Sequence, residues 1–283
     1  MKKIITITSL FAAGTALANA DAVSLSADFN FENELKNSGT VSVTGTASGT
    51  DPLTYIDSVA AGTLFGNYKV ESSLGQALSL AGTDYVILGN AAWSNGANKL
   101  QIGSSGTSFT FMSYVKLSST SGEIGLFGTG DGNGYGIGFG FQNGKLDLLA
   151  KGSAHHTPTS TTTTTFVADT WYHIAISYDS TTGTATYYVN GEKDGEKTGL
   201  NTAGFISPGG AGAAIGSWSK DTAQATFSGA IDKLQIANTV LTADQIRSTA
   251  GLGAVPEPSA FGLLAGVGAL AFVAARRRRR KVA

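Results

Sequence analysis

Cysteine is absent from the 283 residues, histidine occurs only three times, and charged residues make up 14% of the chain. No disulfide can staple this protein and no thiol can serve as a nucleophile. The fold must rest on its own apolar core, for which a chain of this length is ample. Helical patterning is also scarce. No window of ordinary length carries an apolar period of about 3.6 residues until the stretch around residue 245. Basic charge is scarce too, once the two ends are set aside. Lys2, Lys3, Lys281 and the five arginines 276–280 are eight of the 19 basic residues, and Glu257 is one of the 20 acidic ones. Residues 21–255 therefore hold 11 basic against 19 acidic residues, a net charge of −8. An acidic body disfavours nucleic acid and other polyanions, and suits calcium, a neutral glycan or solubility alone.

The ends are where long apolar runs occur. Lys2 and Lys3 precede an apolar stretch from Ile4 to Ala18, and Ala18-Asn19-Ala20 supplies a small-x-small cleavage site. These are the three parts of a secretory signal peptide, which predicts a leader over residues 1–20 and a mature chain from Asp21. At the other end, residues 260–275 form an uncharged run of 16 residues followed by Arg276, Arg277, Arg278, Arg279, Arg280 and Lys281. A helix of that length spans about 24 Å. The hydrocarbon core of a bilayer is about 30 Å thick, so this is a short transmembrane helix, held by its flanks. The basic cluster acts as a stop-transfer block on the cytoplasmic side and leaves the rest of the chain outside.

Between the ends, apolar residues alternate. In the stretch 109–117, Phe109, Phe111, Val115 and Leu117 fall on one side and Thr110, Met112, Tyr114 and Lys116 on the other. Tyr172, Ile174, Ile176 and Tyr178 alternate with Trp171, His173, Ala175 and Ser177. A period of two predicts strands with one face in a core. Asn143-Gly144 and Asn190-Gly191 are dipeptides that take positive φ cheaply, and each predicts a tight hairpin turn. Many short strands with glycine-rich turns predict an all-β sandwich or barrel. One helix is expected after the last strand, with Thr242 as N-cap, Gln245 completing a capping box and Gly251 as the stop. The threonine tract 157–165 reads as a surface strand or loop of the domain, or alternatively as a linker open to proteolysis or sugar attachment. Gly136, Gly138 and Gly140 alternate with Tyr135, Ile137, Phe139 and Phe141, so one face of that strand is bulky and the other bare. Such a face admits either close backbone packing or a ligand.

Three stretches taken in order resemble the laminin G-like, or concanavalin A-like, jelly-roll family: QALSLAGTDYVILGN (76–90), WYHIAISYDSTTGTATYYVNGEKDG (171–195) and AIGSWSKDTAQATFSGAIDKLQIANTVLTADQI (214–246). The resemblance implies an all-β, two-sheet antiparallel jelly-roll sandwich over residues 21–252. Val255-Pro256-Glu257-Pro258-Ser259, the apolar helix and the arginine cluster resemble the PEP-CTERM sorting signal of Gram-negative bacteria, over residues 253–283. That resemblance implies that an exosortase-type membrane protease recognises Pro256, Glu257 and Pro258 and removes the tail.

No catalytic grouping converges in the sequence. Glycosidases need two carboxylates flanking the scissile bond. Related jelly-roll hydrolases carry alternating acids on one strand, whereas Glu123 and Asp147 each stand alone here. His155 and His156 would hold a transition metal only with a third ligand that the sequence does not offer. Asp232 shares parity with Leu234 and Ile236, which would aim its carboxylate at an apolar face. A buried carboxylate demands donors or a cation. The family resemblance implies calcium near this closing strand, held by Asp232 and, from the first strand, Glu32. The alternative is a bulge that turns Asp232 to solvent or onto backbone amides. The expectation is a non-enzymatic protein, exported, held transiently at the inner membrane and then sorted to the cell surface or matrix, where it binds a glycan or extracellular polymer. The rival readings are a polysaccharide hydrolase or lyase on the same fold and a purely structural matrix protein.

Overall fold

The computed structural model describes residues 23–40, 45–48, 53–88, 107–129, 136–151, 162–200, 213–218 and 225–255. The expected leader, the Pro-Glu-Pro motif, the apolar run 260–275, Arg276–Arg280 and the His155–His156 pair lie outside these residues. Among those described, no helix is long and apolar enough to cross a membrane.

Strand-forming alternation yields three antiparallel sheets, with strands numbered in chain order. The largest runs in space as β14 (Glu192–Lys197), β13 (Thr184–Val189), β12 (Trp171–Asp179), β8 (Phe109–Leu117), β16 (Ser228–Ala237), β6 (Gln76–Ala81) and β3 (Thr54–Asp57). β1 (Ala27–Phe29) also pairs with β16, along its second half, while β6 takes the first half. The second sheet runs β11 (Lys145–Lys151), β10 (Gly136–Gln142), β9 (Glu123–Gly128), β15 (Ala213–Ile215), β7 (Tyr85–Leu88) and β2 (Gly45–Ser48). A small third sheet joins β17 (Leu252–Ala254), β5 (Tyr68–Val70) and β4 (Leu64–Phe65). The expected hairpins form. Asn143 and Gly144 have φ of 49° and 72° between β10 and β11, and Asn190 and Gly191 have 53° and 83° between β13 and β14.

The core lies between the two large sheets and is aromatic at its centre. Phe111 of β8 stacks on Phe139 of β10 with centroids 4.4 Å apart. Phe109 and Phe127 pack on Phe139, and Tyr178 packs on Phe109. Burying each such ring stabilises the fold by about 1.5–3 kcal/mol. The inward set on β8 is the one its alternation predicts.

The opposite face of the largest sheet is buried as well. Met112, Ala175, Tyr188, Ala237 and Leu241 pack against Ile246 of helix α1 (Ala243–Ala250). Tyr114 packs under the small sheet with Phe65, Val70 and Leu252. β8 is therefore covered on both sides, where its alternation had suggested one core face. Trp171 and Tyr172 diverge as their parity requires. Tyr172 packs on Phe166 against the main core, while Trp171 joins the small-sheet cluster and receives the Lys116 ammonium at 5.4 Å. Helix α1 carries the full capping box from Thr242 and Gln245, and Gly251 ends it at φ 74°. The described part of the threonine tract is a loop of the domain. Thr163 and Thr164 donate to the Asp194 carboxylate, and Phe166 plugs the core beside Phe141.

Candidate functional site

Two places combine polar or aromatic side chains with an unusual backbone, and both lie on the outward faces of the sheets. The first is the point on β16 where its neighbour changes from β6 to β1. β6 pairs with Ser228–Ile231 and β1 with Leu234–Ile236, so Asp232 and Lys233 have no strand beside them on that edge. The backbone bulges here against β8 as well, and Lys233 adopts φ 44°. The extra residue puts both Ile231 and Leu234 in the main core. Asp232 consequently does not share the face of Leu234 and Ile236, as a regular strand would require. It turns to the other side, opposite Tyr114.

The carboxylate remains fully buried there. Ser58 Oγ donates to Oδ2 at 2.5 Å and the Lys233 amide donates to Oδ1 at 2.6 Å. Burial pushes the Asp232 carboxyl up to about 7 against the pull of both donors, and the nearby Glu32 charge raises it further. Glu32 is exposed in the turn after β1 and accepts from the Gln76 amide at 3.4 Å. Its carboxylate lies so close over Gly75, whose φ is 75°, that a Cβ there would overlap it. Among the described residues no three His, Asp or Glu side chains gather into a metal-binding group. What the gap offers is oxygen only: two carboxylates, one of them desolvated, and a hydroxyl. That donor chemistry suits a hard cation such as calcium, with carbonyl and water oxygens completing the about six to eight ligands it takes.

Beyond Tyr114 in the same layer sits His173, which is buried and packs edge-on against the Tyr114 ring at 4.9 Å. Its Nδ1 has no hydrogen-bond partner among the described residues. Burial lowers its pKa to about 3, with the Lys233 charge adding to the effect, so the ring is neutral at ordinary pH.

The second place is the outward face of the six-stranded sheet. Gly125, Gly128, Gly138 and Gly140 leave it bare, and Trp218 lies on it. A Cβ at Gly138 would overlap the indole, and one at Gly125 would come within 2.6 Å of the Trp218 amide nitrogen. Close approach thus explains Gly125, Gly128 and Gly138, where the residue that approaches is the partly exposed Trp218, and Gly140, where it is the Ile124 backbone. The Trp218 Nε1 is buried without an acceptor among the described residues. Sequence reading registered the bare strand and missed its occupant, because Trp218 follows β15 and is far from β10 in the chain.

The isolated carboxylates stay isolated from one another. Glu123 is exposed beside Gln142, with 3.4 Å between Oε1 and Nε2. Asp147 is fully buried. Pro256, Glu257, Pro258 and Arg276–Arg280 lie outside the described residues.

A family model described as the concanavalin A-like lectin/glucanases superfamily matches residues 80–247, and one described as the PEP-CTERM protein-sorting motif matches residues 254–280. No curated protein matches the chain. Among solved structures, domain 4 of AbnA, a GH43 extracellular arabinanase from Geobacillus stearothermophilus in complex with arabinotriose, is similar at TM-score 0.59 and 21% identity. The match covers 81% of this chain and 98% of that one. The binding domain of Paraclostridial Mosquitocidal Protein 1 follows at TM-score 0.55 and 16% identity, covering 80% and 52%. The binding domain of botulinum neurotoxin serotype G gives 0.55 and 14%, covering 81% and 50%. The chain thus spans about half the length of these two toxin domains. At such identities the likeness is one of fold.

Proposed function

Because the chain belongs to the concanavalin A-like lectin/glucanases superfamily and carries a PEP-CTERM sorting motif directly after that domain, we propose that it is an exported surface or matrix protein of a Gram-negative bacterium whose sandwich binds carbohydrate without catalysis. The carrying observation is the adjacency of the two matches, 80–247 and 254–280, which makes the lectin-like domain the cargo of the sorting signal. An exosortase-type protease is the expected processing partner, and the inner membrane is the expected site of the precursor.

The binding reading draws further support from the arabinanase domain, whose structure holds arabinotriose. Fold does not carry function by itself, so the site must come from this chain. Trp218 on its glycine floor is a flat, partly exposed aromatic surface of the kind against which the C–H face of a sugar ring packs. The non-catalytic reading is supported by how the acids are spent. Asp147 and Asp232 are buried, and Glu123 faces a glutamine rather than a second acid. A structural calcium ion belongs to the same proposal. Asp232 and Glu32 would hold it in the gap between β6 and β1, where it would neutralise a desolvated carboxylate.

The test is a glycan array probed with the protein with and without a chelator, alongside a Trp218→Ala variant. Binding that falls at least tenfold in the variant supports the reading. Turnover of a polysaccharide, or binding untouched by loss of Trp218, overturns the assignment of a non-catalytic site on this face.

A further inference from the structure

β14 is one edge strand of the largest sheet and β11 one edge strand of the six-stranded sheet, and the described threonine segment runs between them. At this seam Asp147 of β11 and Lys197, the last residue of β14, bring Oδ1 and Nζ to 3.9 Å, with 1% and 8% of their side chains exposed. That separation is too long for a hydrogen bond. The Leu148 amide donates to Asp147 Oδ1 at 2.9 Å, and the Tyr187 hydroxyl is directed at the same oxygen from 3.4 Å. Among the described residues, neither Asp147 Oδ2 nor Lys197 Nζ has a hydrogen-bond partner. A buried ion pair offsets its desolvation only with good geometry and full hydrogen bonding, and this pair has neither.

Burial raises the Asp147 carboxyl and lowers the Lys197 amine, in each case overriding the pull of the opposite charge. Burial thus shifts both groups towards their neutral forms, an acid that is an electrophile and an amine that is a nucleophile. They are held together by the packing of two sheets, which removes the entropic cost of encounter.

We propose that Lys197 and Asp147 condense into an intramolecular amide that covalently joins the two sheets of the sandwich. The Nζ lone pair attacks Cγ of the protonated carboxyl and forms the C–N bond. The Cγ–Oδ2 bond breaks, and the departing hydroxyl takes a proton from Nζ and leaves as water. Oδ1 remains as the amide carbonyl oxygen. No oxidant or cofactor is consumed. The Tyr187 hydroxyl faces the oxygen on which charge builds in the tetrahedral intermediate, and burial pushes its own pKa up, so it stays a donor. In a chain without cysteine, such a bond does what a disulfide does in other exported proteins, closing a loop from residue 147 to 197 and restricting the unfolded ensemble.

Tryptic digestion of the protein from its native host decides the matter. Cleavage after Lys145 and Lys151 releases Leu146–Lys151, while an amide-bound Lys197 is no longer a trypsin site, so Asp194–Lys220 stays intact. The expected product is one branched species with the summed mass of these two peptides less one water. Free Leu146–Lys151 and Asp194–Lys197 in full yield would overturn the proposal. Lys197→Arg keeps a long basic side chain but removes the nucleophilic amine, and Asp147→Ala removes the acceptor carbon. Both should abolish the branched species, and its survival in either would also overturn the assignment. Should a variant fail to fold, the digest of the unmodified sequence decides alone.

Discussion

Asp232 and His173 lie in one layer beneath the small sheet, both contacting or facing Tyr114, yet burial drives their proton affinities in opposite directions. The folded Asp232 carboxyl keeps its proton up to about 7, whereas the ordinary value is 3.8. Between those values the folded state binds more protons than the unfolded one, so stability falls as pH rises through that window and the loss is complete above it. The folded His173 ring takes up a proton only near 3, against 6.5 in an ordinary setting. There the unfolded state binds more protons, and stability falls as pH drops from 6.5 towards 3. The two slopes offset each other across the shared range, and each amounts to a few kcal/mol at most. Asp232→Asn should therefore stabilise the calcium-free protein well above pH 7, make little difference near pH 4, and abolish any stabilisation by added calcium. His173→Phe, which keeps an aromatic ring against Tyr114, should flatten the acid limb. Denaturant midpoints across pH check both. Equal destabilisation of Asp232→Asn at every pH would show that its hydrogen bonds, and not its charge, dominate.

Among the elements, helix α1 is the one whose every boundary could be read locally. A capping box needs only Thr242 and Gln245, and the left-handed stop needs only Gly251. The hairpins at Asn143-Gly144 and Asn190-Gly191 were legible for the same reason. What could not be read depends on partners distant in sequence. The bulge at Asp232 arises because β16 exchanges β6 for β1 beside it, so a parity count along one strand assigns the carboxylate to the wrong face. β4 and β5 are two and three residues long, too short for any alternation to register. Asp147 looked isolated because Lys197 is fifty positions away. Helix α1 also illustrates how a local signal serves a distant contact. Arg247 pairs with Asp244, donates to the Gly191 carbonyl at 2.8 Å and lies over the Tyr68 ring at 4.8 Å, tying the helix to both a hairpin turn and the small sheet. Thr242→Ala should lower stability by about 1 kcal/mol. It should also speed amide exchange at Gln245 and Ile246 ahead of the β8 amides. Uniform exchange across the chain would instead mean that the helix does not open separately from the sandwich.

For the whole molecule, the question is how cargo and address are divided. The last described strand, β17, ends at Ala254, and the Val255 amide donates to the Asn67 carbonyl at 2.9 Å as the final backbone tie to the small sheet. The Pro-Glu-Pro motif starts at the next residue. Proline lacks the amide proton that would extend a strand, and it biases the residue before it, Val255, away from helix. Cleavage at the motif would fall after the last hydrogen bond among the described residues. Two outcomes follow for protein recovered from its native host. Its C-terminus by mass spectrometry should lie within residues 255–259, and its melting temperature should match that of the unprocessed precursor in detergent. A terminus inside 252–254 would truncate β17, uncover Val70, and lower the melting temperature. An intact Arg276–Arg280 tail would leave the protein anchored, its sandwich tethered at the membrane rather than released into the matrix, and the sorting half of the proposed function would fail while the binding half stood.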